Sequence, residues 1–139
     1  MTVEHIIRLP WPPADLSPNS RAHHMARARA VKKYRTDAGL MALAKGCRDL
    51  GCERLTVEIT FYPPDNRRRD TDNMLASIKA GLDGIADATG VDDSQWHYGL
   101  ARGEPVKGGC VLIHVIPSDS DNWKRIGDLA DDMVKGAVS

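Results

Sequence analysis

Arg54-Leu55-Thr56-Val57-Glu58-Ile59-Thr60-Phe61-Tyr62 alternates apolar and polar side chains along its length. Leu55, Val57, Ile59 and Phe61 fall on one face, and Thr56, Glu58 and Thr60 on the other. A period of two, rich in β-branched and aromatic residues, is the pattern of a strand with one buried face. Pro63 and Pro64 lack the amide hydrogen that a ladder needs, so they end it. After the polar loop 65–69 the period changes. Met74, Leu75, Ile78, Leu82 and Ile85 form a stripe that predicts one amphipathic helix over 71–88, closed by Thr89 and Gly90.

Upstream, residues 2–9 carry Val3, Ile6, Ile7 and Leu9 and predict a first strand. Pro10, Pro12, Pro13 and Pro18 argue against regular structure across 11–18. Asn19 and Ser20 are good N-cap residues for a helix over 21–49, rich in Ala, Met, Leu, Lys and Arg, with Gly39 as a break or bend and Gly51 past its end. Downstream, Asp92-Asp93-Ser94 predicts a turn, 96–101 a short strand, 103–109 a turn, and 110–116 a buried strand closed by Pro117. Strand, helix, strand, helix, strand, strand, helix predicts an α+β fold with a small mixed β-sheet packed with helices. The expected domain spans 1–117. Residues 118–139 are expected to be an acidic tail, with a weak helix around 123–134.

The 139 residues suit one domain, and 42% hydrophobic residues suffice for one core. No apolar run approaches the roughly 20 residues of a membrane span. Residues 1–9 include Glu4, His5 and Arg8 and do not read as a signal peptide. Cys47, Cys52 and Cys110 are odd in number and lack zinc-type spacing, which points to a reducing cytoplasm. Formal charge is zero, 19 basic residues against 19 acidic, but it is not evenly spread. Residues 1–20 carry net −1, residues 21–69 net +7, and residues 70–139 net −6. A basic front joined to an acidic back suggests polyanion binding beside metal binding. The alternative is a chance sorting of solvated charges.

The border lies inside Arg67-Arg68-Arg69-Asp70-Thr71-Asp72-Asn73. Asp70 and Asp72 sit where a loop meets a helix start, so two carboxylates one residue apart can converge. A structural reading competes: Asp70 or Thr71 caps the helix and Asp72 complements its dipole. Asp92 and Asp93 form a second pair after the same helix. Carboxylates bracketing one helix can assemble a hard-cation site for Mg²⁺, since like charges without a cation repel. Lys79 lies seven positions after Asp72, within about 20° of two full turns, and so shares its face. It either reaches toward the carboxylates or pairs with Asp83, four positions on.

With these residues in place, the sequence resembles the RusA family of Holliday-junction resolvases, small Mg²⁺-dependent endodeoxyribonucleases often carried by bacteriophages and prophages. The resemblance covers about residues 5–117. It rests on Leu9-Pro10-Trp11-Pro12-Pro13, Asn19, Pro63-Pro64, the run from Arg67 to Asn73, Gly90-Val91-Asp92-Asp93-Ser94-Gln95 and Lys107-Gly108-Gly109, in that order. It implies a RusA-like fold, a homodimer, and metal ligation by Asp70, Asp72 and Asp93, with Asp92 a weaker candidate. Mn²⁺ would substitute for Mg²⁺. Asn73 would hold the site together rather than do chemistry. The family commonly has a catalytic Lys four residues after the second Asp. Here that residue is Ala76, and Lys79 is the nearest substitute.

Arg21, Arg27, Arg29, Lys32, Lys33 and Arg35 place six basic residues in fifteen positions without an acid. With Asn19 and Arg67, Arg68 and Arg69 they are the candidate DNA contacts, which position phosphates without reading sequence. The competing reading is a solvated helix face and a surface loop. Trp11 packs the first strand or wedges against a base. His5, His97 and His114 read as structural or surface residues, with an indirect role at the metal site open to His97. The cysteines read as buried or incidental.

The expected function is a Mg²⁺-dependent, structure-selective endodeoxyribonuclease. It would resolve four-way junctions by paired nicks in the bacterial host cytoplasm, with Lys79 and Arg69 stabilising negative charge. The alternatives are a branched-DNA-binding module with little or no cleavage, and a Mg²⁺ phosphohydrolase of small substrates.

Overall fold

The computed structural model describes residues 3–118. The chain forms an α+β fold with one four-stranded mixed sheet and three helices. The strands are β1 (His5–Pro10), β2 (Arg54–Tyr62), β3 (Trp96–Arg102) and β4 (Cys110–Ser118). The helices are α1 (His24–Ala44), α2 (Thr71–Ser77) and α3 (Lys79–Thr89). The proposed tail helix around 123–134 lies outside the described residues. Among the described residues no helix is long and apolar enough to cross a membrane.

The sheet order is β1-β4-β2-β3. β4 pairs antiparallel with β1 and β2, and β3 runs parallel to β2. A parallel pair needs a long crossover, and α2 with α3 supply it. The alternation read in 54–62 is realised: Leu55, Val57, Ile59 and Phe61 are all buried. They join Ile7 and Leu9 of β1 and Val111, Ile113 and Val115 of β4 in the core.

α1 packs on α3. Gly39, expected to break or bend α1, lies inside an unbroken helix and faces Gly84. A Cβ on Gly84 would stand 2.1 Å from the Arg35 carbonyl oxygen, so the two backbones meet where neither helix has a side chain. The N-cap is His23, whose Nδ1 accepts from Met25 N at 3.2 Å, not Asn19 or Ser20. Those two lie in the preceding turn, where Ser20 Oγ accepts from Ala22 N at 3.1 Å. The proline-rich stretch is not wholly irregular: Ala14–Leu16 makes one 3₁₀ turn. Tyr34 donates to Pro10 O at 2.7 Å and ties α1 to the end of β1.

The single helix expected over 71–88 is two. Ile78 departs from helical geometry at φ −102°, ψ 5°. Ser77 Oγ donates to Asn73 O at 2.8 Å beside this break, a local bond of the kind that competes with the helix ladder. α3 ends at Gly90 in the left-handed region (φ 76°), and the loop after α1 closes it, with Asp49 N and Leu50 N donating to Ala88 O and Thr89 O.

Candidate functional site

The break at Ile78 changes the geometry of the acidic residues. Asp72 and Lys79 lie on different helices, so seven residues of continuous helix no longer argue for a shared face. Lys79 Nζ donates instead to Asp83 at 2.6 Å and to Asp93 across the site. Partial burial works against its charge, but these two carboxylates outweigh that and hold its pKa above the ordinary value. The two readings of Lys79 therefore merge: it makes the salt bridge to Asp83 and also reaches one proposed metal ligand.

Asp70 is the N-cap residue of α2, yet its side chain makes no capping bond and is exposed. The capping reading of Asp70 is overturned, and its carboxylate is left for other work. Thr71 does not cap either. Its hydroxyl accepts from Arg102 Nη2 at 2.8 Å and Nε at 3.2 Å, while Arg102 Nη2 also donates to Arg69 O. One guanidinium at the end of β3 thus holds the Arg69 carbonyl and the Thr71 hydroxyl on either side of Asp70. Arg102 was not among the residues the sequence singled out. The signal was weak, because its proximity follows from the parallel register that places it opposite Phe61.

Asp72 is exposed in the first turn of α2, where its charge complements the helix dipole. Asp92 is engaged: it accepts from Ser94 Oγ and from Ser94 N at 3.0 Å, bonds that hold its carboxyl below the usual range. Asp93 begins a 3₁₀ turn over 93–95 and is held by Lys79. Among the described residues no three His, Cys, Asp or Glu side chains are grouped so as to hold a metal ion. The expected convergence of Asp70, Asp72, Asp92 and Asp93 is thus not present. Lys79 supplies the positive charge beside Asp93.

The three arginines divide their roles. Asp65 accepts from Arg67 Nη2 at 3.0 Å and pairs with Arg69 Nη2 at 2.9 Å. Bonds from Arg67 first, and from Arg69, hold the Asp65 carboxyl far below its ordinary pKa. Arg69 also lies over the Trp11 ring, 5.5 Å from its centroid, and donates to Asp65 O and Arg67 O. Arg67 and Arg69 therefore shape the loop. Arg68 is exposed and has no ion pair or hydrogen bond among the described residues.

On α1, Arg27 donates to Asp15 O at 3.2 Å and Ser17 O at 3.0 Å and anchors the proline-rich loop. Lys33 pairs with Asp37 at 2.7 Å, and Arg35 with Asp87 at 2.8 Å. Arg21, Arg29 and Lys32 are exposed.

A cleft of about 470 Å³ opens beside Asp70. Trp11, Asn19, Arg68, Arg69 and Asn73 line it with Asp70. The Trp11 ring meets Phe61 edge-on at 6.4 Å, so it packs and still forms a cleft wall. Gly109 gives it room: a Cβ there would stand 3.0 Å from Trp11 Cβ, and its φ is 69°.

A stretch of 113 residues is 43% identical to an uncharacterized protein of Xylella fastidiosa (strain Temecula1), covering 78% of this chain and 74% of that protein. The chain belongs to the same family as that Xylella protein. No family model matches the chain. Among solved structures, the periplasmic domain of Helicobacter pylori MotB aligns over 95% of both chains at 12% identity and a TM-score of 0.35.

Proposed function

We propose that this chain is a RusA-like, Mg²⁺-dependent endodeoxyribonuclease that acts as a homodimer on four-way DNA junctions in the cytoplasm of its host. The observation that carries this reading is the Asp70 carboxylate. It stands at a helix start without a capping bond, on the same cleft as the unpaired Arg68. A carboxylate left free next to a cation suited to phosphate is the pairing that phosphodiester chemistry needs. The order of motifs from Leu9 to Gly109 supports the family resemblance.

Asp70 and Asp72 offer the hard oxygen donors that Mg²⁺ prefers, and Mg²⁺ commonly takes one or two carboxylates with waters and substrate phosphate. A three-carboxylate cluster is therefore not required. When bound, such an ion lowers the pKa of water and offsets charge on the phosphodiester. The chain's own residues do the rest. Arg68 contacts backbone phosphate, Arg102 fixes the segment that carries Asp70, and Lys79 holds Asp93. A two-fold dimer matches two symmetric cuts.

A second reading is favoured by the Lys79–Asp93 ion pair, which engages one proposed metal ligand: a branched-DNA-binding module with little or no cleavage. One experiment separates the two. The protein is incubated with a labelled four-way junction in Mg²⁺ and in chelator. Paired nicks only in Mg²⁺ support the nuclease. A retained complex without product in either condition supports the binding module. Failure to bind the junction at low salt overturns both.

A further inference from the structure

The cleft beside Asp70 has chemistry that phosphate contact does not use. Its size, about 470 Å³, falls within the roughly 300–1,000 Å³ of small-ligand pockets and suits a nucleotide rather than a duplex. Its wall includes Trp11 with the Arg69 guanidinium lying over the ring, a flat cation upon a flat apolar group. Pro12 and Pro13 line it too, with φ fixed by their rings, and Met74 is buried among the lining residues. Two side-chain amides, Asn19 and Asn73, line the same cleft. Neither amide has a hydrogen-bond partner among the described residues, although Asn19 N and Asn73 O are bonded through the backbone. An amide offers two donors and two acceptor lone pairs, which matches a base edge. Arg68 stands unpaired on the same rim for a flanking phosphate.

Flat wall, amides and one cation are the parts of a site for an unstacked nucleobase with its phosphate. We infer that this cleft takes one base extruded from the DNA at the branch point, stacked on the Trp11–Arg69 wall and read at its edge by Asn19 and Asn73. The inference rests on the proposed action on branched DNA. It adds that selection for branched DNA comes from a base that is already easy to unstack, since a base free of its duplex partner costs least to extrude.

The test uses the full chain, calcium in place of magnesium, and four-way junctions in which one base at a time around the crossover is replaced by an abasic analogue. Wild type is expected to lose on the order of tenfold in affinity at one strand position and its symmetry mate and little elsewhere, the size of one base-stacking contact. Asn19→Ala is expected to weaken the intact junction and to shrink that difference. Asn19 is exposed, so the variant is expected to fold. Equal tolerance of abasic sites at every position, with the junction still bound, overturns the base pocket and leaves the nuclease reading standing. Competition by millimolar deoxynucleoside monophosphate without any abasic effect assigns the cleft to free nucleotides and also overturns it. No binding to any junction sinks the proposed function itself.

Discussion

Arg102 donates to the hydroxyl of Thr71 through Nη2 at 2.8 Å and Nε at 3.2 Å, and so ties the end of β3 to the first residue of α2. Its further bond to Arg69 O places Asp70 between two anchored neighbours. Arg102→Ala should therefore lower the nicking rate on the order of tenfold or more while changing stability by less than about 1 kcal/mol. Arg102→Lys should not restore the rate, because an ammonium lacks the planar fork that spans both acceptors. Single-turnover rates and urea midpoints for the two variants check this.

Lys79 competes with any cation for Asp93. Lys79→Met should release that carboxylate and lower the Mg²⁺ concentration needed for half-maximal activity. The loss of two exposed ion pairs should cost no more than about 1 kcal/mol. A Mg²⁺ titration of activity beside a thermal melt measures both. An unchanged Mg²⁺ requirement would separate Asp93 from the metal.

Gly84→Ala should destabilise by about 1–3 kcal/mol or more, since its Cβ would overlap the Arg35 carbonyl. Gly39→Ala should cost less, because its Cβ would stand 3.2 Å from Gly84 O. Denaturant midpoints of the two variants give the order.

Burial pushes the Cys47 thiol up to about 11. An unfolded thiol ionises near 8.5. The raised pKa keeps the folded group neutral, so its contribution favours the native state less as pH rises above about 8.5. Folded protein at pH 8 should show one fast-reacting thiol, the half-exposed Cys52, and two slow ones, Cys47 and Cys110. Mass spectrometry after timed alkylation reads the sites.

The sheet was legible because its signals are local. Residues 54–62 alternate over nine positions, and the strand occupies those same nine. The break of the long helix was hidden, since no Gly or Pro marks it; the Ser77 hydroxyl bonded to Asn73 O stands next to it. The Asp72–Lys79 relation was inferred from that same unbroken helix. Arg102 was hidden because parallel pairing with β2, which no local pattern encodes, carries it to Thr71. The acid Asp65 that engages Arg67 and Arg69 lies within four residues of both, but in a loop, where spacing alone predicts no pairing. Arg68 is distinguished from its neighbours only by what they touch.

Under the proposed function Asp70 serves cleavage rather than helix capping. The most direct measurement is the single-turnover nicking rate of a four-way junction in Mg²⁺ for wild type and Asp70→Asn, with helix content followed by circular dichroism. The expected result is a loss on the order of a hundredfold or more with the fold unchanged. Equal rates, or no cleavage by wild type under any Mg²⁺ concentration, would contradict it.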